Sequence, residues 1–193
     1  MTFLVLGLVL FLGVHSVRIV ADDWRSQQLA KHGEGPWKGI YALVSAAGLV
    51  LIVWGYGLAR ADPIVMWSPP TWTRHVAALL TIPAFVLLTA AYVPRNAIKT
   101  RLHHPMILGV KTWAFAHLLA NGMLADVVLF GAFLAWAVLD FRSSRQRDRA
   151  SGKTYPAGTA TGTIAAVAIG LIAWAVFAFW LHAAWIGVSP FRR

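Results

Sequence analysis

The chain carries seven histidines and no cysteine. Chemistry that needs a thiolate is therefore excluded: zinc thiolate sites, iron–sulfur clusters, disulfides and a cysteine nucleophile. Imidazole remains, as a metal ligand, a proton carrier or a hydrogen-bonding group. His15 and His117 fall deep inside long apolar runs, and His182 lies less deeply in another. An ionisable side chain in such a run is costly and needs a partner.

His117 stands eleven residues past Met106, about 16 Å at the helical rise. His15 lies past the midpoint of a first apolar run that crosses in the opposite sense. The two are expected near the middle of a bilayer, where they could grip one metal from opposite sides. Haem iron is the natural candidate, because the porphyrin is flat and apolar and imidazole is a common axial ligand. Arg18, three residues after His15, and Lys111, near the start of the His117 run, could meet its carboxylates. Lys111 could equally snorkel to the headgroups. Trp113 and Asn121 flank His117 at i−4 and i+4, as candidates for stacking and a supporting hydrogen bond, or for ordinary helix packing. The alternative for both histidines is hydrogen-bonded glue between helices, or a proton relay.

The other histidines carry weaker signals. His182, among Trp180 and Trp185, and His75, beside Arg74, fit an interfacial belt. His103 and His104 stand at the mouth of the His117 run, and His32 falls in a polar loop with no role assigned. Asp126 is the only carboxylate well inside an apolar run, and is expected at an outer turn within reach of water. The sequence has no GxSxG, no Walker loop and no HExxH, so no catalytic residue is assigned.

The elements that must position these residues follow from composition. Of 193 residues, 59% are hydrophobic and only 12% charged, too few to cover a soluble surface. Mean hydropathy is +0.65, and lipid must be the solvent for most of the chain. Runs of this length without period-2 alternation are helices rather than barrel strands. The expected spans are 2–21, 39–58, 74–93, 106–120, 123–139 and 162–187. The run 106–139 is too long for one crossing and divides at Asn121-Gly122, a turn-favouring pair. The fold class is all-α integral membrane, a bundle of about six transmembrane helices in one domain covering 1–193. Pro83 should kink the third span, and Ala166 with Gly170 should allow close packing of the last. Residues 143–160 are expected to be a flexible loop.

The net charge of +10 lies mostly between apolar runs, which points to membrane orientation and anionic headgroups rather than nucleic acid. Arg25, Lys31 and Lys38, then Arg95, Lys99 and Arg101, then Arg142, Arg145, Arg147, Arg149 and Lys153 fill alternate loops. Arg60, Arg74, Arg192 and Arg193 are the few on the other side. The positive-inside rule puts the first group in the cytoplasm and both termini outside.

A motif carries a resemblance. His104-Pro105-xxx-Gly109 is followed by Lys111-x-Trp113-x-x-Ala116-His117-Leu118-Leu119-x-Asn121-Gly122, with His15-Ser16 in the first span. Over nearly the whole chain this resembles the NnrU family of bacterial membrane proteins, which is linked to nitrite and nitric oxide reduction. The same superfamily includes zeta-carotene isomerase, a haem b enzyme similar at the His-Ser and at the Trp-x-x-Ala-His. The resemblance implies haem b on His15 and His117, with Arg18, Lys111, Trp113, Asn121 and His104 as further candidate cofactor contacts. It implies a partner such as nitric oxide or a lipophilic polyene, and leaves open whether the protein is an enzyme. The isomerase has a cysteine three residues before its second histidine; Ala114 stands here, so a cysteine-to-histidine ligand exchange is impossible. Membrane isoprenylcysteine methyltransferases share a similar Arg-His-Pro element, where this chain has His103-His104-Pro105. The lack of a clear cofactor-binding carboxylate in the last helix argues against that activity.

Overall fold

The computed structural model describes residues 1–191; Arg192 and Arg193 lie outside the described residues. It is all-helical: α1 (Thr2–Val20), α2 (Asp22–His32), α3 (Glu34–Ala61), α4 (Trp72–Tyr92), α5 (Ala97–Leu102), α6 (Pro105–Ala120), α7 (Leu124–Ala150) and α8 (Ala160–Ile186). Five of these, α1, α3, α4, α7 and α8, are long and apolar enough to cross a membrane, and α6 is a shorter apolar helix. The protein is a multi-pass membrane protein. The division at Asn121-Gly122 is present: the Asn121 side chain closes α6 by donating to the His117 carbonyl at 2.8 Å. The turn is tied to the α3–α4 connection, with Met66 N–H on the Gly122 carbonyl and Leu124 N–H on the Ile64 carbonyl, both at 2.8 Å.

The helices pack in the lateral order α3, α1, α7, α6, α4, α8. Small residues permit the tightest of these contacts. A Cβ on Gly7 would stand 2.5 Å from the Ile52 nitrogen and one on Gly48 2.7 Å from the Phe11 nitrogen, so α1 and α3 touch backbone to backbone. Ala166 is fully buried, and a Cβ on Gly170 would meet the Val86 Cα at 2.7 Å, which seats α8 against α4 as the small-residue spacing predicts. α4 runs through Pro83 as one helix. A π turn at Phe177–Leu181 interrupts α8 within its run of large aromatic side chains.

The row is curved. Arg60 at the end of α3 donates to the Ile186 carbonyl at the end of α8 at 2.9 Å, so its first and last helices meet at that end. Among the described residues they do not pack together elsewhere. The opposite end of the bundle carries α2, α5 and most of the basic residues.

Two expectations are corrected. Residues 143–150 are not a loop, because α7 continues to Ala150. Arg147 reaches back to the hydroxyls of Ser143 at 2.5 Å and Ser144 at 2.7 Å and across to the Arg18 carbonyl at 3.1 Å, which ties the polar extension to α1. Asp126 is not at a watery turn. It is 3% exposed and accepts the Tyr56 hydroxyl at 2.5 Å, a partner seventy residues away that pattern alone does not reveal.

Candidate functional site

The centre of the row is an aromatic stack between α1, α6 and α7. Phe11 lies against His15 with ring centroids 4.2 Å apart and against Phe133 at 5.8 Å. Trp113 meets Phe133 at 5.6 Å, Phe130 at 5.1 Å and His117 at 5.2 Å. His117 in turn stacks on Phe130 at 4.6 Å. α7 packs against both α1 and α6, which do not touch each other among the described residues.

Both imidazoles fold back along their own helices, as helical side chains do. His15 Nδ1 is 2.6 Å from the Phe11 carbonyl and His117 Nδ1 is 2.8 Å from the Trp113 carbonyl. A carbonyl only accepts, so Nδ1 carries the proton and a neutral ring keeps its lone pair on Nε2. This is the state of a histidine prepared to bind a metal. Because α1 and α6 run in opposite senses, the two rings lean toward one another.

They are nevertheless offset. His15 lies near the Val20 end of α1 and meets Trp136 on α7, whereas His117 is in the last turn of α6 and meets Phe130. Phe130 and Trp136 are six residues apart, about 9 Å along α7. Counting residues gives the two a similar depth; the packing puts His15 toward the basic end, because α6 is short and ends just beyond His117. Phe11, Phe133 and Trp113 fill the interval. Two surface cavities lie elsewhere, one of about 280 Å³ beside His75 and Trp174 and one of about 260 Å³ at the basic end.

Both imidazoles face the concave side of the row. His15 reaches α3 through Tyr41, with centroids 5.0 Å apart, and His117 lies within electrostatic range of Asp126 and of His182 on α8. Two polar atoms on that side are buried without a partner: Trp136 Nε1, beside His15, and Ser45 Oγ, one turn along α3 from Tyr41. An indole N–H can only donate, so it needs an acceptor that the described residues do not supply. His182 is bonded differently: its Nδ1 is 2.6 Å from the carbonyl of Val188, six residues later and beyond the end of α8.

The remaining candidates are not brought to this site. Arg18 is 56% exposed and pairs with Asp22 at 3.7 Å. The Lys111 ammonium sits 5.4 Å from the centre of the Phe141 ring. Asn121 bonds the His117 carbonyl and not its ring. Trp113 does lie beside His117: its ring is tilted 50° to the imidazole, and its backbone carbonyl accepts from Nδ1. His104 belongs to a second cluster at the basic end. Its Nε2 donates to Asp148 at 2.8 Å, and the Tyr155 hydroxyl donates to the same carboxylate oxygen at 2.8 Å. His103 stacks on Tyr155 at 4.3 Å and accepts from Arg145. Burial holds the His104 pKa below its ordinary value, against the opposing pull of Asp148. Burial, with the bond to Asp148, pushes the Tyr155 phenol up to about 12. Sequence reasoning misses Asp148, Tyr155 and Trp136. The one signal it could use is Asp148 itself, a lone carboxylate between arginines.

The long apolar helices and their packing define a multi-pass helical membrane protein. The family model described as NnrU protein matches residues 3–190, and the chain belongs to the NnrU family. That family is associated with nitric oxide and denitrification gene clusters. No curated protein and no solved structure matches the chain.

Proposed function

We propose that the protein binds haem b in the bilayer and supports nitrite and nitric oxide reduction, with His15 and His117 as the iron ligands. The observation that carries this reading is the matched preparation of the two imidazoles. Each gives its Nδ1 proton to the carbonyl four residues earlier and keeps Nε2 for a metal. The surroundings fit the group in kind. The walls are aromatic, and the orphaned Trp136 N–H and Ser45 hydroxyl are donors that a propionate satisfies. Arg18 and Lys111, engaged elsewhere, are dropped from that role. Bound haem supplies a redox-active iron that takes up nitric oxide when reduced. The chain's own part would be to fix both rings and, with Phe11, Phe133 and Trp113, to exclude water from the group. With no cysteine to attach it, the haem is of the b type.

Protein purified in mild detergent should show a Soret band and a b-type pyridine haemochrome. His15→Ala and His117→Ala should each lose the six-coordinate low-spin spectrum, and the double variant should lose haem. A colourless preparation from haem-replete cells, unresponsive to added haemin, overturns the proposal. His182→Ala is included because His182, on α8, lies within electrostatic range of His117. Loss of haem there, with a normal spectrum in His15→Ala, moves the second ligand to α8.

A second reading is a haem-dependent cis–trans isomerase of a carotenoid-like polyene. It is favoured by the side of the row between α3 and α8, helices that are joined at one end only, where a lipophilic molecule would have to enter from the bilayer. Haem-dependent change of a cis-polyene's isomer ratio, followed by chromatography, would select it. Absence of turnover, with slower nitrite or nitric oxide reduction in a deletion strain, selects the first reading.

We propose a bacterial inner-membrane location, with the basic end in the cytoplasm and both termini periplasmic. The support is the alternation of basic loops. A reporter after Gly152 should read cytoplasmic and one after Arg193 periplasmic; both on one side rejects this topology.

A further inference from the structure

The basic end holds a cavity of about 260 Å³ where α4 stops and α8 starts, lined by Arg95, Asn96, Lys99, Thr100, Tyr155 and Pro156, among others. Its rim is fixed by bonds that do not consume its positive charge. Asn96 is 1% exposed. Its amide donates to the carbonyls of Ala90 at 2.9 Å and Val93 at 2.6 Å, and its oxygen accepts from Lys99 N–H at 2.8 Å. Arg95 is held in left-handed backbone, φ 50°, an uncommon conformation for a residue with a side chain. Its carbonyl is gripped by Thr159, from N–H at 2.7 Å and from the hydroxyl at 3.1 Å. Thr100 donates to the Pro156 carbonyl at 2.7 Å, which closes the rim against the segment leading into α8.

The charges remain available. The Arg95 guanidinium has no hydrogen bond or ion pair among the described residues. Lys99 Nζ spends one donor on the Ala91 carbonyl at 2.8 Å, which leaves two. No carboxylate lines the cavity. The nearby one, Asp148, is reached through Tyr155 and is engaged by Tyr155 and His104. Tyr155 is itself fixed between that bond, the His103 ring and the Lys153 ammonium, 5.1 Å from its centre. A small, preformed cavity with a planar five-donor fork and an ammonium, and no opposing anion in its lining, has the chemistry of a phosphate site. Its place at the ends of two apolar helices is headgroup level.

We propose that this cavity binds a phosphate-bearing group through Arg95 and Lys99, the phosphodiester of an anionic lipid headgroup being the source that its depth favours. The site is independent of the haem reading and stands whether or not haem binds.

The test uses the full-length protein in mild detergent with an equal mixture of phosphatidylglycerol and phosphatidylcholine, scored for retained lipid by native mass spectrometry. Phosphatidylglycerol should be retained preferentially, and Arg95→Gln with Lys99→Gln should reduce that preference about tenfold. Arg142→Gln with Arg149→Gln, on the exposed α7 extension, should leave it unchanged. In a parallel arm, inorganic phosphate is titrated by phosphorus NMR. Saturable broadening that the Arg95/Lys99 variant loses, without lipid preference, assigns the cavity to free phosphate. Should the double variant fold poorly, Arg95→Gln alone suffices, since that side chain makes no bond in the fold. No lipid preference together with no saturable phosphate signal overturns the site. An equal loss in the Arg142/Arg149 variant also overturns it, because charge anywhere on that face would then be enough.

Discussion

The two histidine pairs of this protein are built to opposite specifications. His15 and His117 bond only to the backbone of their own helices and are otherwise surrounded by rings. His103 and His104 bond to side chains from α7, namely Arg145 and Asp148. A histidine anchored to its own helix can be removed without stranding any other group, because the carbonyl it bonds also belongs to the helix ladder. A histidine that shares a buried carboxylate cannot. The first arrangement leaves a nitrogen for something that is not protein. The second spends its nitrogens joining two segments distant in sequence. The difference separates what the fold keeps for a ligand from what it needs for itself.

Asp148→Ala should have the largest effect on stability. It leaves the half-buried Tyr155 hydroxyl and His104 ring without their acceptor, a loss of about 2–3 kcal/mol for the two bonds together. Denaturation in SDS titrations should report it. Tyr56→Phe should come next, at about 1–2 kcal/mol by the same measurement, because Asp126 keeps only its bond from Met123 N–H. His15→Leu and His117→Leu in haem-free protein should cost less than about 1 kcal/mol each. If either matches Asp148→Ala, the contrast between the pairs fails, and that histidine holds the bundle together.

The smallest effect is one of pH. The His104 pKa is lowered in the folded protein, so between its folded and unfolded values the unfolded chain binds more protons and stability rises with pH. That contribution is present above the unfolded value of about 6.5 and is lost as pH falls through the lower folded value. The raised Tyr155 pKa acts at the other end: its contribution is complete below about 10 and lost as pH rises through about 12. Melting should therefore be flat near pH 8 and shift downward towards pH 5.5. His104→Gln should flatten the acid side. An unchanged acid slope in that variant would mean that another group controls it.

Much of this protein is legible in one dimension. Hydropathy alone requires a membrane, and run length with Asn121-Gly122 separates α6 from α7. The spacing of Ala166 and Gly170 is enough to mark one face of α8 for close contact, the face that α4 occupies. These readings succeed because transfer into lipid, helix formation and close approach depend on a residue and its near neighbours along the same helix. The motif around His117 also lies within a single helix, which is why it identifies the family.

What the sequence does not decide is lateral. Counting residues puts His15 and His117 at similar depth; their α7 neighbours Trp136 and Phe130 are about 9 Å apart along that helix, because where α6 ends, not residue number alone, fixes depth. Arg18 and Lys111 are near the histidines in sequence but are held by Asp22 and Phe141. Tyr56 satisfies Asp126, Tyr155 and His104 share Asp148, and Trp136 is left with an unpaired N–H beside His15. Tyr56 with Asp126, and Trp136 with His15, face each other across helices brought together only by the order α3, α1, α7, α6, α4, α8, which differs from the order along the chain. A buried polar group must find its partner across that order, and only the tertiary structure says who the neighbours are.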